Sequence, residues 1–425
     1  MGLTKSQAEA LEILNSGQNV FLTGEAGTGK SFVIREFMKN SDKNILLCAS
    51  TGIAAIQIGG ETLHRVFKIP VRPLSCGEKG YPTDVVKNTD ILIIDEISMV
   101  RFDVFSFISQ TLIKLKKKIQ LIVVGDFFQL PPVITDKDRA ALHSLWDDKL
   151  LFGFNTGFAF ESNDWNLWNF KTIWLTEIMR QDDEIYAGLL NQIRIGNHSA
   201  IKHFNAYCWN DPSDKGIYVC GLNRTADSIN STKMEELTTE SKKYIAEING
   251  KFKERPVPEE LELKVGAKVM SLINYGDGAI KVRNGSIGIV ESLNKDSVDV
   301  RFDELGGKVV NFAPYMWENY EYVVQAESNG KKKVTTKKIG DYRQIPLKIA
   351  YAITIHKSQG QTFDEINLDP FSFTHGQLYV ALSRGRRLKG LHLTKMIRDE
   401  WLILDPSVKK FYELALMKDE NDLSF

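Results

Sequence analysis

The stretch "NVFLTGEAGTGKSFVIREFMKN" (19–40) limits the architecture of this 425-residue chain more than any other. A short apolar run leads into "GEAGTGKS" (24–31), which fits G-x-x-x-x-G-K-[ST], and a helical pattern follows. That loop works only between a buried strand and the start of a helix. Glycines at 24, 27 and 29 let the backbone curl so that its N–H groups face phosphate oxygens, and the helix N-terminus adds its positive end. Gly24, Ala26, Gly27, Thr28 and Gly29 are therefore expected to line a phosphate cradle. Lys30 is expected to reach the β and γ oxygens and Ser31 to ligate Mg²⁺.

Three further runs, "NILLCAS" (44–50), "DILIIDE" (90–96) and "QLIVVGD" (120–126), have the same form: a few apolar residues ending in small, polar or acidic ones. Helical stretches separate them. The pattern predicts a parallel sheet with crossover helices and ligands at the carboxyl ends of the strands. A prior of about 150 residues per domain makes the chain too long for one core. A second set of such runs, around 216–230, 345–360 and 365–370, predicts a second α/β lobe. Between them lie Gly- and Val-rich segments such as "VRNGSIGIVESL", which predict short strands and hairpins. The expected fold class is α/β: two RecA-like parallel-sheet domains, a small β-barrel inserted in the second and a short wedge insertion in the first. The expected boundaries are 1–64 and 85–175 for the first lobe, 65–84 for the Pro- and Gly-rich insertion, 176–245 and 345–425 for the second lobe, and 246–344 for the barrel.

Composition narrows the class little. Lys plus Arg equal Asp plus Glu at 54 each, so no global basic field is present, although a neutral protein can hold a basic groove. The four cysteines show no metal-ligand spacing and are read as reduced thiols. No apolar run approaches the roughly 18 residues of a membrane span and no signal-peptide core is visible, so a cytoplasmic protein without a membrane partner is expected.

"ILIIDEIS" (91–98) supplies the second half of a nucleotide site. A buried apolar strand does not end in two adjacent carboxylates without a strong reason, because an unpaired buried charge is costly. Asp95 is expected in the Mg²⁺ shell and Glu96 beside the attacking water. Together the two motifs predict nucleotide hydrolysis without saying what it drives.

The remaining motifs are more specific. "STGIAAIQIGGETLH" (50–64), "DEISMV" (95–100), "GDFFQLPPV" (125–133), "LTEIMRQ" (175–181), "AYAITIHKSQGQTF" (350–363) and "YVALSRGR" (379–386) resemble, in order, the motifs of superfamily-one helicases. The combination is similar to the Pif family of 5′→3′ DNA helicases, in the RecD-like branch, over about residues 3–415. The resemblance implies ATP and Mg²⁺ as cofactors and a minimal core of bacterial or phage type, acting as a monomer. It implies that Arg180 and Arg384 act as arginine fingers from the second lobe, that Gln129 senses the γ-phosphate, and that Gln7 reads the adenine. Gln359 and Gly360 are implied to lie close to the nucleotide.

Single-stranded DNA needs donors for phosphates and flat or apolar surfaces for bases. The resemblance assigns Ser50, Thr51, Gly52 and His64 to a backbone grip on the first lobe, and Thr354, His356 and Lys357 to a matching grip on the second. Core or capping roles are the alternative for Thr51, His64 and His356. Phe67 and Tyr81, in the 65–84 insertion, could stack on a terminal base pair or form a small local core. "KKKVTTKK" (331–338) could face DNA or water. Duplex and forked DNA, quadruplexes and RNA–DNA hybrids are all candidate substrates. A single-strand translocase that displaces proteins, and an ATP-switched nucleic-acid-binding scaffold, are the rival readings.

Overall fold

The computed structural model describes residues 3–50, 55, 58–115, 117–146, 156–177, 183–252, 255–275, 282, 284–326 and 332–422. The first lobe is built on six strands: β1 (Val20–Gly24), β2 (Ile45–Ala49), β3 (Glu61–Thr62), β4 (Ile91–Asp95), β5 (Gln120–Val124) and β6 (Lys171–Leu175). They run parallel in the order β3-β2-β4-β5-β1-β6. All residues of β1, β4 and β5 are buried. A sheet covered on both faces needs such unbroken apolar runs.

One face is covered by α1 (Lys5–Asn15) and α2 (Lys30–Lys39), which bury Ala10, Leu14, Val33, Ile34 and Phe37. The other face carries an aromatic cluster that includes Phe21, Phe127, Phe160 and Trp165. The helix Pro406–Asp422, expected within the second lobe, packs into this cluster. Val408, Phe411 and Tyr412 are buried there, with the Phe411 ring stacked on Phe160 at 4.4 Å. The Tyr412 hydroxyl accepts a hydrogen bond from the Phe127 amide at 3.0 Å and lies 3.0 Å from the Thr23 hydroxyl. An i, i+3, i+4 apolar stripe shows that a helix buries one face but does not say against which lobe.

The second lobe holds a four-stranded parallel sheet in the order Ala352–Thr354, Ile217–Cys220, Ile366–Leu368, Leu391–Leu393. Helices Glu184–Arg194 and Ser199–Cys208 pack on it through Leu189, Leu190, Ile193 and Phe204. Two residues of the first lobe, Ala26 and Leu130, are buried in this same cluster. The two cores therefore meet at the phosphate loop.

The inserted antiparallel region is wider than 246–344. Ser241–Ile245 pairs with Glu260–Lys264, and Leu347–Ile349 pairs with Lys268–Ser271 at the edge of a five-stranded sheet. The run "IPLKIAYAIT" thus serves two sheets, its first half the insertion and its second half the lobe. Apolar content alone does not show where the chain changes partner.

A long hairpin, Tyr315–Ala326 with Lys332–Gln344, leaves the insertion and lies against the first lobe. Its Tyr322 amide donates to Glu61 at 3.0 Å, and its Val334 amide donates to Asn44 at 3.1 Å. Within "KKKVTTKK", Lys338 is engaged by Glu318 and Asp341 at 2.8 and 2.9 Å, while Lys331 lies outside the described residues.

In the 65–84 insertion, Phe67, Ile69 and Leu74 are buried in the first lobe's core. The Leu74 backbone is fixed at both polar atoms, by Asp103 at 3.0 Å and by the Trp146 indole at 2.7 Å. Phe67 is thus a core residue and no stacking platform, whereas Tyr81 is 88% exposed.

Candidate nucleotide and nucleic-acid site

The phosphate loop curls as its glycines require. Gly27 and Gly29 have φ of +88° and +86°, where a side chain would be strained. Lys30 folds back into the loop and donates to the carbonyls of Gly24 and Glu25 at 2.8 and 2.9 Å. Burial pushes its ammonium below the ordinary lysine range, against the pull of Asp126, Glu96 and Asp95 nearby. The lysine is therefore held where a phosphate would stabilise its charge. Gln7 is fixed by a capping box with Thr4, and its amide donates to the Thr28 carbonyl at 3.2 Å. Ser31 is exposed in the first turn of α2.

β4 delivers the carboxylate pair. Asp95 accepts a hydrogen bond from the Glu96 amide at 2.9 Å. Glu96 has φ 52° and ψ 49°, a left-handed conformation that a non-glycine residue adopts only under constraint. Burial, then the charge of Asp95, raises the Glu96 carboxyl from 4.5 to about 7. Burial also raises Asp95. Two crowded, desolvated carboxylates gain from a cation.

A serine hydroxyl and one carboxylate beside phosphate oxygens form the hard, sparse donor set that Mg²⁺ takes. No group of three or more His, Cys, Asp or Glu that could hold a metal exists among the described residues.

The second lobe closes the site from the other side. The Gln359 amide donates to Glu96 at 3.1 Å, and its own carbonyl oxygen is buried without a partner. Gly360 follows in a left-handed turn with φ +78°. The Tyr379 hydroxyl accepts the Ala26 amide of the phosphate loop at 3.1 Å. At Gly376 a Cβ would lie 2.4 Å from the Phe128 carbonyl oxygen, so only glycine permits this approach to the "GDFFQ" loop. Gln129, on that loop, is buried.

Arg384 is almost fully buried and donates to the carbonyls of Val380, Ser358 and Gln361 and to the Ser383 hydroxyl. It braces the loop that carries Gln359, and its charge favours the ionised form of Glu96. Arg180 lies outside the described residues.

The groups expected to grip DNA are distributed less evenly. Ser50 and His64 line one cavity of about 140 Å³ with Leu63, Met99, Arg101 and Pro132, and the Ser50 hydroxyl there is buried without a partner. Thr51 and Gly52 lie outside the described residues. On the second lobe, Thr354 is buried and its hydroxyl accepts the Lys357 amide at 3.4 Å, a turn-capping role. His356 is half-buried and Lys357 exposed. Burial lowers the His356 imidazole, which favours its neutral form.

Sequence reasoning passed over three residues. Arg194 ends an amphipathic helix, where a cation is commonplace. Tyr379 lies within an apolar hexapeptide. Lys348 alternates with apolar residues on an edge strand, yet burial and the neighbouring Lys357 push its ammonium down to about 8.

The sequence model described as PIF1-like helicase matches residues 2–201. A protein of Bdellovibrio bacteriovorus named ATP-dependent DNA helicase Pif1 is 33% identical, with 97% of this chain and 92% of that protein covered. The crystal structure of Bacteroides sp Pif1 in complex with ADP-AlF4 superposes with a TM-score of 0.86 at 32% identity, covering 98% of each chain. Bacteroides Pif1 bound to ssDNA is 33% identical over 97% of each chain, with a TM-score of 0.67.

Proposed function

Since the chain belongs to the PIF1-like helicase family, we propose that it is an ATP-dependent DNA helicase that moves 5′→3′ along single-stranded DNA and unwinds duplex ahead of it. One observation carries the nucleotide half of this reading: the second lobe touches both the phosphate loop, through Tyr379, and the Glu96 carboxylate, through Gln359. Hydrolysis at such a site depends on how the lobes sit, and lobe movement can in turn be driven by the nucleotide.

In this reading Lys30 and the loop amides of residues 24–31 bind the phosphates and Gln7 the adenine. Ser31 and Asp95 would hold Mg²⁺, which would supply positive charge to stabilise the phosphates. Glu96 accepts a proton from the attacking water, while Gln129, Gln359, Arg180 and Arg384 complete the second wall. Ser50, Thr51, Gly52 and His64 grip the strand on one lobe, with Thr354, His356 and Lys357 on the other. Forked DNA, quadruplexes and RNA–DNA hybrids are proposed substrates, and the working unit is a monomer.

The deciding experiment compares otherwise identical 5′-tailed and 3′-tailed duplexes with ATP and Mg²⁺. Unwinding of the 5′-tailed duplex alone is expected, and Lys30→Ala is expected to abolish it. ATP turnover on single strands without duplex separation would favour a protein-displacing translocase, and turnover indifferent to DNA would favour a switched scaffold.

The Lys348–Lys357 pair gives a pH signature. Lys348 lies beside Lys357, which this reading puts against the strand. Burial together with that neighbour pushes its ammonium down to about 8, so its charge is lost as pH rises through that value. Affinity for a single strand, dominated by phosphate contacts, is therefore expected to fall as pH rises through that value. Fluorescence anisotropy of a labelled oligonucleotide measures the change, and Lys348→Met is expected to flatten it. A profile unchanged by the substitution would remove Lys348 from the interface.

A further inference from the structure

Asp126 and Arg194 belong to different lobes yet form a two-bond ion pair sealed from water. Arg194 Nε and Nη2 lie 3.1 and 3.0 Å from the two carboxylate oxygens, with the residues 7% and 1% exposed. The guanidinium packs 4.3 Å from the Phe128 ring centroid. Asp126 also accepts the Phe128 amide at 3.1 Å and lies 3.4 Å from the Tyr412 hydroxyl. These neutral partners persist without Arg194, but they leave the negative charge in place.

The position of that charge matters. Asp126 follows β5, the strand between β1, which carries the phosphate loop, and β4, which carries Asp95. Its charge reaches Lys30, Glu25 and Glu96, and that of Arg194 reaches Lys30 and Glu25. An uncompensated carboxylate here would compete for Lys30 and repel an incoming polyphosphate through a poorly screened interior.

We propose that Arg194 is a positioning residue for the nucleotide site: from the second lobe it neutralises Asp126 at the edge of the phosphate cradle, so that tight nucleotide binding requires the lobes to be docked. This rests on the nucleotide-hydrolysing reading above. It differs from an arginine-finger role, because Arg194 acts on a carboxylate of the protein and need not touch the phosphate.

The test is an equilibrium titration of the full chain with N-methylanthraniloyl-ATP and Mg²⁺. Arg194→Met is expected to weaken binding about tenfold or more. The double variant Arg194→Met/Asp126→Asn is expected to regain most of that loss, and Asp126→Asn alone to bind no worse than the unaltered protein. A pair that only clamped the lobes would also be repaired by the double variant, but it would fail at Asp126→Asn, which leaves Arg194 buried and unpaired; weaker binding by Asp126→Asn alone therefore overturns the proposal. Unchanged binding by Arg194→Met, or a double variant as weak as Arg194→Met, overturns the proposal. Should Arg194→Met fail to fold, Asp126→Asn decides: binding no weaker than that of the unaltered protein supports the proposal, and binding about tenfold weaker overturns it. Lys30→Ala separates the two levels. If the unaltered protein binds no better than Lys30→Ala, the nucleotide reading itself fails; if it binds well and the Arg194 variants match it, only the present inference fails.

Discussion

Replacing Glu96 with glutamine is expected to lower DNA-stimulated ATP turnover by about 10³-fold, within the range for losing a positioned general base. Nucleotide and single-strand binding should survive, because neither uses the proton-accepting oxygen. Near-normal turnover by Glu96→Gln would remove Glu96 from catalysis. The environment of this carboxyl adds a pH dependence. Burial and Asp95 raise it to about 7 in the folded chain. Activity per free enzyme, kcat/KM, is therefore expected to decline below that value as Glu96 takes up its proton.

The sign for stability is opposite to that of a salt-bridged acid. A raised carboxyl binds its proton more tightly when folded, so ionisation works against folding. The penalty is absent below the unfolded value, grows as pH rises through the window from 4.5 to about 7, and is complete above it. Glu96→Gln should accordingly raise the thermal midpoint at about pH 8 and leave it nearly unchanged at about pH 4. Equal midpoints at both ends would show that the site does not hold the carboxyl under strain.

Arg384→Ala is expected to cost both folding stability and turnover. The side chain supplies buried donors to the carbonyls of Ser358 and Gln361 and to the Ser383 hydroxyl, and truncation leaves those acceptors dry. Each unsatisfied buried group costs about 1–3 kcal/mol, so a loss on the order of 3 kcal/mol should appear in denaturant unfolding. The loop from Thr354 to Gly360 then loses its brace, and Gln359 its fixed approach to Glu96. Arg384→Lys should recover some stability but little turnover, because an ammonium cannot meet a fan of acceptors set for a planar fork. Unaltered unfolding with turnover alone lost would assign Arg384 to the phosphate and not to the loop.

Much of the fold was legible because the first lobe obeys a local code. "VFLTG", "ILLCA", "ILIID" and "QLIVV" are strands as expected, each ending at the cleft, because burial on both faces leaves no room for polar residues until the chain emerges. The strand Lys171–Leu175 escaped notice because its burial is incomplete and its apolar run short. Phosphate chemistry made the nucleotide site legible, whereas the family was legible by resemblance, above all of "GDFFQLPPV" and "LTEIMRQ". What could not be read were choices between partners distant in sequence. Phe67 looks equally suited to stacking on a base and to filling a core, and only packing decides. Arg194 resembles an ordinary helix-ending cation until Asp126, 68 positions earlier, is found beside it.

The return of the last helix to the aromatic face of the first lobe limits how the motor can flex. The polypeptide crosses the cleft twice, once after Leu175 and again between Trp401 and Pro406, and the second crossing is anchored by Phe411 and Tyr412. Movement of the second lobe must therefore either unseat Phe411 and Tyr412 from that aromatic face or be absorbed by the short link between Trp401 and Pro406.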